Sequence, residues 1–223
     1  PTSGDVTREK LVQTILDAAL ENDGWALTGT TADPDMTAMA MQALAPYYDT
    51  DENVRAAVDK ALDVLSAAQL PTGGFASWGS ENSEACAQVI VALTALGIDP
   101  ATDSRFVKNG MTVLDALASF YVDGGGFRHT ASGELDGMAT EQGYYALAAY
   151  YRFVNGQTSL YDMSDVTIQP NTPATPDQPA NPDTPDTPAD PGTAQPTGDR
   201  GVTVWAIALT VSALCAAAVI GRK

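Results

Sequence analysis

Basic residues are scarce in this sequence. Lys and Arg number 11 of 223 residues against 28 Asp and Glu, which gives a formal net charge of -17 and an isoelectric point near 4.1. Proteins bind polyanions mainly through clustered Lys and Arg side chains, and the sequence contains no such cluster. We therefore exclude nucleic acid as a partner.

Cysteine and histidine are rarer still. Cys86 lies in the region of globular composition and Cys215 in an apolar segment near the C-terminus, so no disulfide is expected within a folded domain. The one histidine, His129, follows a glycine-rich turn, and we interpret it as a solvated loop residue. With so few side chains of these types, we predict neither a metal site nor a cofactor.

Charge is also absent from a run near the C-terminus, which predicts a membrane anchor. Residues 202–220 are 19 uncharged residues, long enough as a helix to cross a hydrocarbon core of roughly 30 Å. Arg222 and Lys223 follow directly, so the positive-inside rule places the C-terminus in the cytoplasm and the preceding residues outside the cell. The alternative is a helix buried in a protein core. Because the chain opens at Pro1 without an export signal, we interpret it as the C-terminal part of an exported protein.

Prolines recur at every third position between residues 170 and 191. This spacing matches polyproline II, which has three residues per turn, and the segment 169–196 would reach about 85 Å in that conformation. We expect a disordered proline-rich stalk. The predicted organisation is a folded domain over residues 1–165, a linker over 166–200, and a single-pass transmembrane anchor with a basic tail over 201–223.

The folded part repeats one pattern three times. Each copy has an amphipathic first helix, a Gly-aromatic turn and an alanine-rich second helix, and the Ala-Leu pairs of the second helices lie 49 and 54 residues apart. Such an interval is typical of helical-hairpin repeats. One-sided apolar patterns predict that the first helices form an outer layer, and the apolar second helices an inner layer packed on all sides. The turns are Gly24-Trp25, Gly74-Phe75 and Gly126-Phe127.

The repeat resembles that of the α/α toroids formed by terpenoid cyclases and protein prenyltransferases. Lys60, Leu65, Gln69, Gly73 and Phe75 are similar to the repeat motif of squalene-type cyclases, with Phe in place of the usual Trp. The resemblance implies an all-α domain, a toroid-like array of three helical hairpins whose second helices line a centre. Because the family's ring needs more than three hairpins, this array would be a partial toroid.

The segment before the anchor resembles the sortase sorting signal of Gram-positive surface proteins. Thr197-Gly198, an apolar run and a basic end follow one another as in that signal, although Ala194 stands at its Leu and Gln195 at its Pro. The resemblance implies a bacterial cell-surface protein, held by its membrane helix and, as an alternative, attached to the cell wall.

Polar residues collect at the N-terminal ends of the predicted second helices, which we call the mouth of the domain. Three aromatic residues that depart from the repeat, unlike Trp25, Phe75 and Phe127, are further candidates for contact with a ligand. The predicted ligand-binding residues are Asp33, Trp78, Glu84, Gln88, Glu141, Gln142, Tyr144 and Tyr145.

Asp35 is the candidate for catalysis. The segment from Asp33 to Ala38 resembles the Asp-rich motif of class II terpene cyclases, with Met36 where the family has its last Asp. The resemblance implies that Asp35 is a neutral carboxylic acid that protonates an alkene or epoxide. The alternative is helix capping, by Asp33 and by its equivalents Asn82 and Asp136.

Glu84-Ala85-Cys86 is similar to the Asp-x-Cys that helps protein prenyltransferases hold zinc. The third inner helix has no His to complete such a site. Cys86 aligns with Thr37 and Thr140, so we predict a small packed residue there.

Three functions stay open. The first is a cell-surface module that binds a small molecule, glycan or protein at the mouth without catalysis. The second is an enzyme, a cyclase-like acid catalyst using Asp35 or a carbohydrate-active enzyme using two carboxylates from Asp35, Glu84 and Glu141. The third is a structural or adhesion spacer. We favour the first because both catalytic motifs are incomplete and an exposed location supplies no isoprenoid diphosphates.

Overall fold

The computed structural model describes residue 4 and residues 6–167. The predicted anchor, and the predicted linker apart from its first two residues, lie outside this part of the chain. Within it, no helix is both long and apolar enough to span a membrane. The described residues up to Asp165 belong to one compact unit.

The described residues are mostly helical, as predicted. One-turn 3-10 helices lie at Ala45–Tyr47 and Ser104–Phe106. We call residues 8–44, 52–95 and 113–154 the first, second and third repeats. The α-helices are α1 (Arg8–Asp17), α2 (Pro34–Leu44), α3 (Glu52–Ala68), α4 (Ser83–Ala95), α5 (Val113–Ser119) and α6 (Gly137–Val154).

The second helices form one layer with α4 in the middle, packed against both α2 and α6. Every residue of α4 from Ser83 to Thr94 is buried, which confirms its predicted packing on all sides. The same prediction is wrong for α2 and α6, where Met39 and Met138 are 48% and 63% exposed. Among the described helices, α2 and α6 each have one second helix, α4, packed closely against them. Their opposite sides therefore stay exposed.

The first helices cover this layer. The predicted apolar face of α3, from Val54 to Leu65, is buried, whereas α1 has no buried residue. Between the two layers, the closest helix pairs are α2 with α3 and α4 with α5. Each of these pairs joins consecutive repeats. The prediction was different, because it paired the two helices of a single repeat in each hairpin. For the pair α2 and α3, a short connection of residues 45–51 brings α3 back onto α2.

The Gly-aromatic turns have the same backbone hydrogen bonds in all three repeats. The aromatic residue that follows each turn, Trp25, Phe75 or Phe127, is buried in the core, which confirms the predicted register. The N–H groups of Leu20, Leu70 and Val122 donate to the carbonyl oxygens of Gly24, Gly74 and Gly126 at 3.0, 2.9 and 2.9 Å.

Gln69, a residue of the family-like motif, is buried at the end of α3. Its Nε2 donates to the carbonyl oxygens of Gly73 at 2.8 Å and Phe106 at 2.9 Å. It therefore joins the turn of the second repeat to the connection that leads into the third.

Three short antiparallel hairpins were not predicted. They pair β1 (Ala76–Ser77) with β2 (Ser80–Glu81), β3 (Val107–Lys108) with β4 (Met111–Thr112), and β5 (Phe127–Arg128) with β6 (Leu135–Asp136). Asn109-Gly110 closes the second hairpin with φ of 53° and 78°. An Asn-Gly pair is the strongest local signal for such a turn, so this hairpin was predictable from sequence.

Candidate functional site

Each second helix begins at a capping residue, as predicted. The side chains of Asp33, Asn82 and Asp136 accept hydrogen bonds from the backbone N–H three residues later, at 3.2, 2.8 and 2.8 Å. Capping uses one oxygen of Asp33, and its Oδ2 accepts a second hydrogen bond from Ser77 Oγ at 2.6 Å. Since Ser77 belongs to β1, the hairpin of the second repeat is bound to the start of α2.

A contact of the same kind joins the third repeat to the start of the second helix of the second repeat. His129, which follows β5, has its Nδ1 2.9 and 2.8 Å from the two carboxylate oxygens of Glu84. The His129 carbonyl also accepts from Ser83 N at 3.0 Å, and Ser83 Oγ donates to Glu84 Oε2 at 2.9 Å. The loop of the third repeat is thereby bound to the start of α4.

His129 was predicted to be only a solvated loop residue, and that interpretation was incomplete. Its side chain is 52% exposed, yet it pairs with a Glu84 side chain that is 11% exposed. The repeat itself contained the signal, because Ser77 follows Phe75 by two residues and His129 follows Phe127 by two. Both positions contact the preceding repeat.

Asp35 lies close to these groups in the first turn of α2. Its Oδ1 is buried and has no hydrogen-bond partner among the described residues. Burial, followed by the charge of Asp33, raises the pKa of Asp35 to about 6, and Glu84 adds to the increase while Ser77 and His129 oppose it. We call Asp33, Asp35 and Glu84 the carboxylate cluster. The predicted mouth therefore brings carboxylates of two repeats together, beside a histidine of the third.

A row of amide side chains crosses the second helices. Gln88 is central: its Oε1 accepts from Gln42 Nε2 at 2.8 Å, and its Nε2 donates to Gln142 Oε1 at 3.0 Å and to Tyr145 Oη. We call Gln42, Gln88, Gln142 and Tyr145 the amide row. Gln42 was missed in the sequence, where the signal was a single polar residue in the otherwise apolar run 38–46.

Tyr145, in the amide row, is close enough to Asp35 for that charge to act on its hydroxyl. Its hydroxyl pKa is raised by burial, by Tyr161, and by the charges of Asp35 and Glu141. Glu141 itself is exposed on α6 and does not number among the main charges that act on Asp35.

Tyr144 faces the turn of its own repeat. Its ring meets that of Phe127 edge to face, with centroids 5.7 Å apart.

The small residues at the Thr37 position support the turns. Thr37 Oγ1 accepts from Trp25 N at 3.0 Å and donates to Trp25 O at 3.1 Å, and Thr140 makes the same pair of bonds to Phe127. Cys86 is completely buried, as predicted, and burial raises the pKa of its thiol to about 12. Among the described residues no group of His, Cys, Asp and Glu is arranged to hold a metal ion.

Trp78 occupies the tip of the β1–β2 hairpin. It is 76% exposed and has a φ of 53°, in the left-handed region. Its neighbour Ser77 is the residue that contacts Asp33, so Trp78 is one residue away from a contact with the carboxylate cluster.

A cavity of about 320 Å³ lies elsewhere, between the turn that follows α1 and helix α3. It is lined by the turn of the first repeat, including Asp23 and Trp25, and by Lys60 of α3. The Lys60 ammonium is 3.0 Å from Asp23. No residue predicted for the mouth lines this cavity.

Comparison with known proteins adds no assignment. The sequence matches no protein-family model and no curated protein.

Proposed function

We propose that the described residues form a partial α/α toroid that binds a small polar ligand at its mouth without catalysis. The layer of α2, α4 and α6, covered by α3 and α5, supports the toroid-like arrangement. The observation that carries the binding function is the meeting of side chains from three repeats: Asp35, Glu84 and His129. Contributions from several elements to one polar cluster are typical of ligand sites.

The composition of the mouth favours binding over catalysis. Asp33 is occupied as a helix cap and Glu84 is paired with His129, so Asp35 is the one carboxylate of the cluster with an unpartnered oxygen. A single half-buried carboxylate such as Asp35 is enough to orient a ligand. Acid-base chemistry on a glycoside instead requires two carboxyl groups on opposite sides of one bond.

An enzyme that uses Asp35 as a general acid is the second candidate. The observation in its favour is the pKa of about 6, which keeps part of the Asp35 population protonated near neutral pH, as acid catalysis requires. Glu84, or the more distant Glu141, would be the second carboxylate of a carbohydrate-active enzyme.

We also propose that the module is held at a cell surface. The proposal rests on residues 202–220, whose uncharged run is followed by Arg222 and Lys223. Deletion of 202–220 should move the full-length product from the membrane fraction to the soluble fraction, and retention in the membrane fraction would contradict the anchor.

A thermal-shift screen of the full chain against a library of polar small molecules tests the binding function. Compounds bound at the mouth should raise the melting temperature of the unmodified chain and of Asp63→Asn, a control at an exposed position of α3. They should have little effect on Asp35→Asn or Glu84→Gln. Compounds that stabilise all four proteins equally bind elsewhere, and a library without any stabilising compound would favour the spacer hypothesis.

Mass spectrometry of each stabilising compound after incubation separates binding from catalysis. An unchanged compound supports the binding function. A product formed by the unmodified chain and not by Asp35→Asn would establish the enzyme.

A further inference from the structure

We propose that Trp78 is a stacking platform for a sugar ring, and that the ligand of the mouth is a saccharide. This inference rests on the proposed binding function and names the class of its ligand. Trp78 is a residue type that suits its own turn poorly.

Two hairpins of this chain have the same two-residue turn. Asn109 and Gly110 have φ of 53° and 78°, and Trp78 and Gly79 have φ of 53° and 87°. Both first positions lie in the left-handed region, which Asn tolerates and bulky side chains avoid. The chain thus places the favoured residue at the tip of β3–β4 and a disfavoured one at the tip of β1–β2.

Packing does not explain this choice. With 76% of its surface exposed, Trp78 buries little apolar area, so it gains little of the stabilisation that burial gives a tryptophan. A residue held in an unfavourable backbone region without compensation from packing indicates a function. The exposed indole is the feature to be explained.

The location of Trp78 suggests what the indole contacts. The adjacent residue, Ser77, is 2% exposed and donates to Asp33 at 2.6 Å, which fixes the base of the hairpin at the carboxylate cluster. Trp78 is therefore one residue away from a side chain that contacts the start of α2. A ligand stacked on the indole would extend from this turn toward the carboxylate cluster.

The polar groups of the mouth include both acceptors and donors. Asp33 and Asp35 are half-buried acceptors at the start of α2. The Tyr145 hydroxyl accepts from Gln88 and so keeps its own proton for donation. Each hydroxyl of a sugar both donates and accepts, and the C–H face of a sugar ring suits the negative face of an aromatic ring. An anionic ligand would be repelled by the carboxylate cluster.

Titration calorimetry on the full chain, in a detergent without a sugar headgroup, tests the proposal. The probes are cellohexaose, maltohexaose, mannohexaose and the hexamer of N-acetylglucosamine. At least one should bind. Trp78→Asn should weaken that binding about tenfold or more, because it removes a central aromatic contact. Trp78→Phe should retain it within about threefold, because an aromatic face remains.

The melting temperature of Trp78→Asn shows whether weaker binding comes from loss of the aromatic platform or from loss of the fold. Trp78→Asn creates the Asn-Gly pair that this turn favours, so its melting temperature should equal or exceed that of the unmodified chain. A lower melting temperature would overturn the claim that Trp78 is unfavourable in the turn. Leu11→Ala, at a 49% exposed position of α1, is the control. It should change neither the affinity for the saccharide nor the melting temperature.

Several results would overturn the saccharide assignment. They are the absence of binding to all four probes, equal binding by Trp78→Asn, and loss of binding in Leu11→Ala. If the library screen also finds a compound of another class whose binding depends on Asp35, the binding function stands and the saccharide assignment fails. If no compound of any class depends on the mouth, both fail together.

Discussion

The Nδ1 atom of His129 lies 2.8 Å from Oε2 of Glu84 and joins the third repeat to the second. Glu84 is 8% exposed, so without this partner a carboxylate would be left poorly solvated beside Asp35. His129→Ala should lower the free energy of unfolding by about 1 kcal/mol, a modest value because the imidazole is half exposed. Urea denaturation at pH 6 measures it.

Glu134→Ala is the matched control for this prediction. Glu134 is an exposed residue of the same loop, and its removal should change stability by less than about 0.5 kcal/mol. Equal effects of the two substitutions would contradict a specific role for the histidine.

Asp35 should make the protein less stable as the pH rises. Its pKa is raised to about 6, mainly by burial, above an unfolded value of about 3.9. The folded state therefore holds the proton more tightly, and stability is lost between about pH 4 and pH 6 as the carboxyl ionises. Asp35→Asn should be more stable than the unmodified chain by about 1 kcal/mol at pH 7.5, after allowance for solvent screening.

The difference between the two proteins isolates Asp35 from the other carboxyl groups. In urea denaturation from pH 3.5 to pH 7.5, the advantage of Asp35→Asn should grow between pH 4 and pH 6. A constant difference, or one that shrinks with rising pH, would show that the pKa of Asp35 is not raised.

Gly143 gives α6 its close approach to the aromatic turn of the same repeat. A Cβ at Gly143 would lie 2.4 Å from the ring of Phe127, whereas one at Gly137, in the same helix, would meet nothing within 4 Å. Gly143→Ala should cost about 2 kcal/mol through overpacking, despite the usual benefit of Ala in a helix. Gly137→Ala should be neutral or slightly stabilising, and a stabilising Gly143→Ala in thermal unfolding would contradict the observed packing.

Gln88 should contribute more to stability than an exposed glutamine with a hydrogen bond. Gln88→Ala leaves Gln142 Oε1 and Tyr145 Oη without their donor, and Gln42 Nε2 keeps only its 2.9 Å bond to the backbone carbonyl of residue 88, so we expect a loss of about 2 kcal/mol. Gln13→Ala removes one exposed hydrogen bond to Asp17 and should cost less than about 0.5 kcal/mol.

The Gln42→Ala, Gln88→Ala pair tests the amide row as a unit. Because both substitutions remove the same contact, the double variant should be less destabilised than the sum of the single variants. Strict additivity in urea denaturation would indicate that the row does not act cooperatively.

Much of the local structure was readable from the sequence. The three caps, the three Gly-aromatic turns and the apolar face of α3 depend on residues within a few positions of each other, and the structure confirms them. Helical periodicity and capping are local properties of the chain. The hairpin at Asn109-Gly110 belongs to the same class and was overlooked.

The contacts of the mouth were decided by tertiary structure. Ser77 with Asp33, His129 with Glu84, and Gln42 with Gln88 are separated by 44, 45 and 46 residues. Each depends on how one repeat packs against the next, which local patterns do not encode. The pKa of Asp35 has the same origin, because burial and neighbouring charges exist only once the helices have assembled. The sequence alone determined which residues form each repeat and how each second helix begins, and packing of the repeats determined which polar side chains meet.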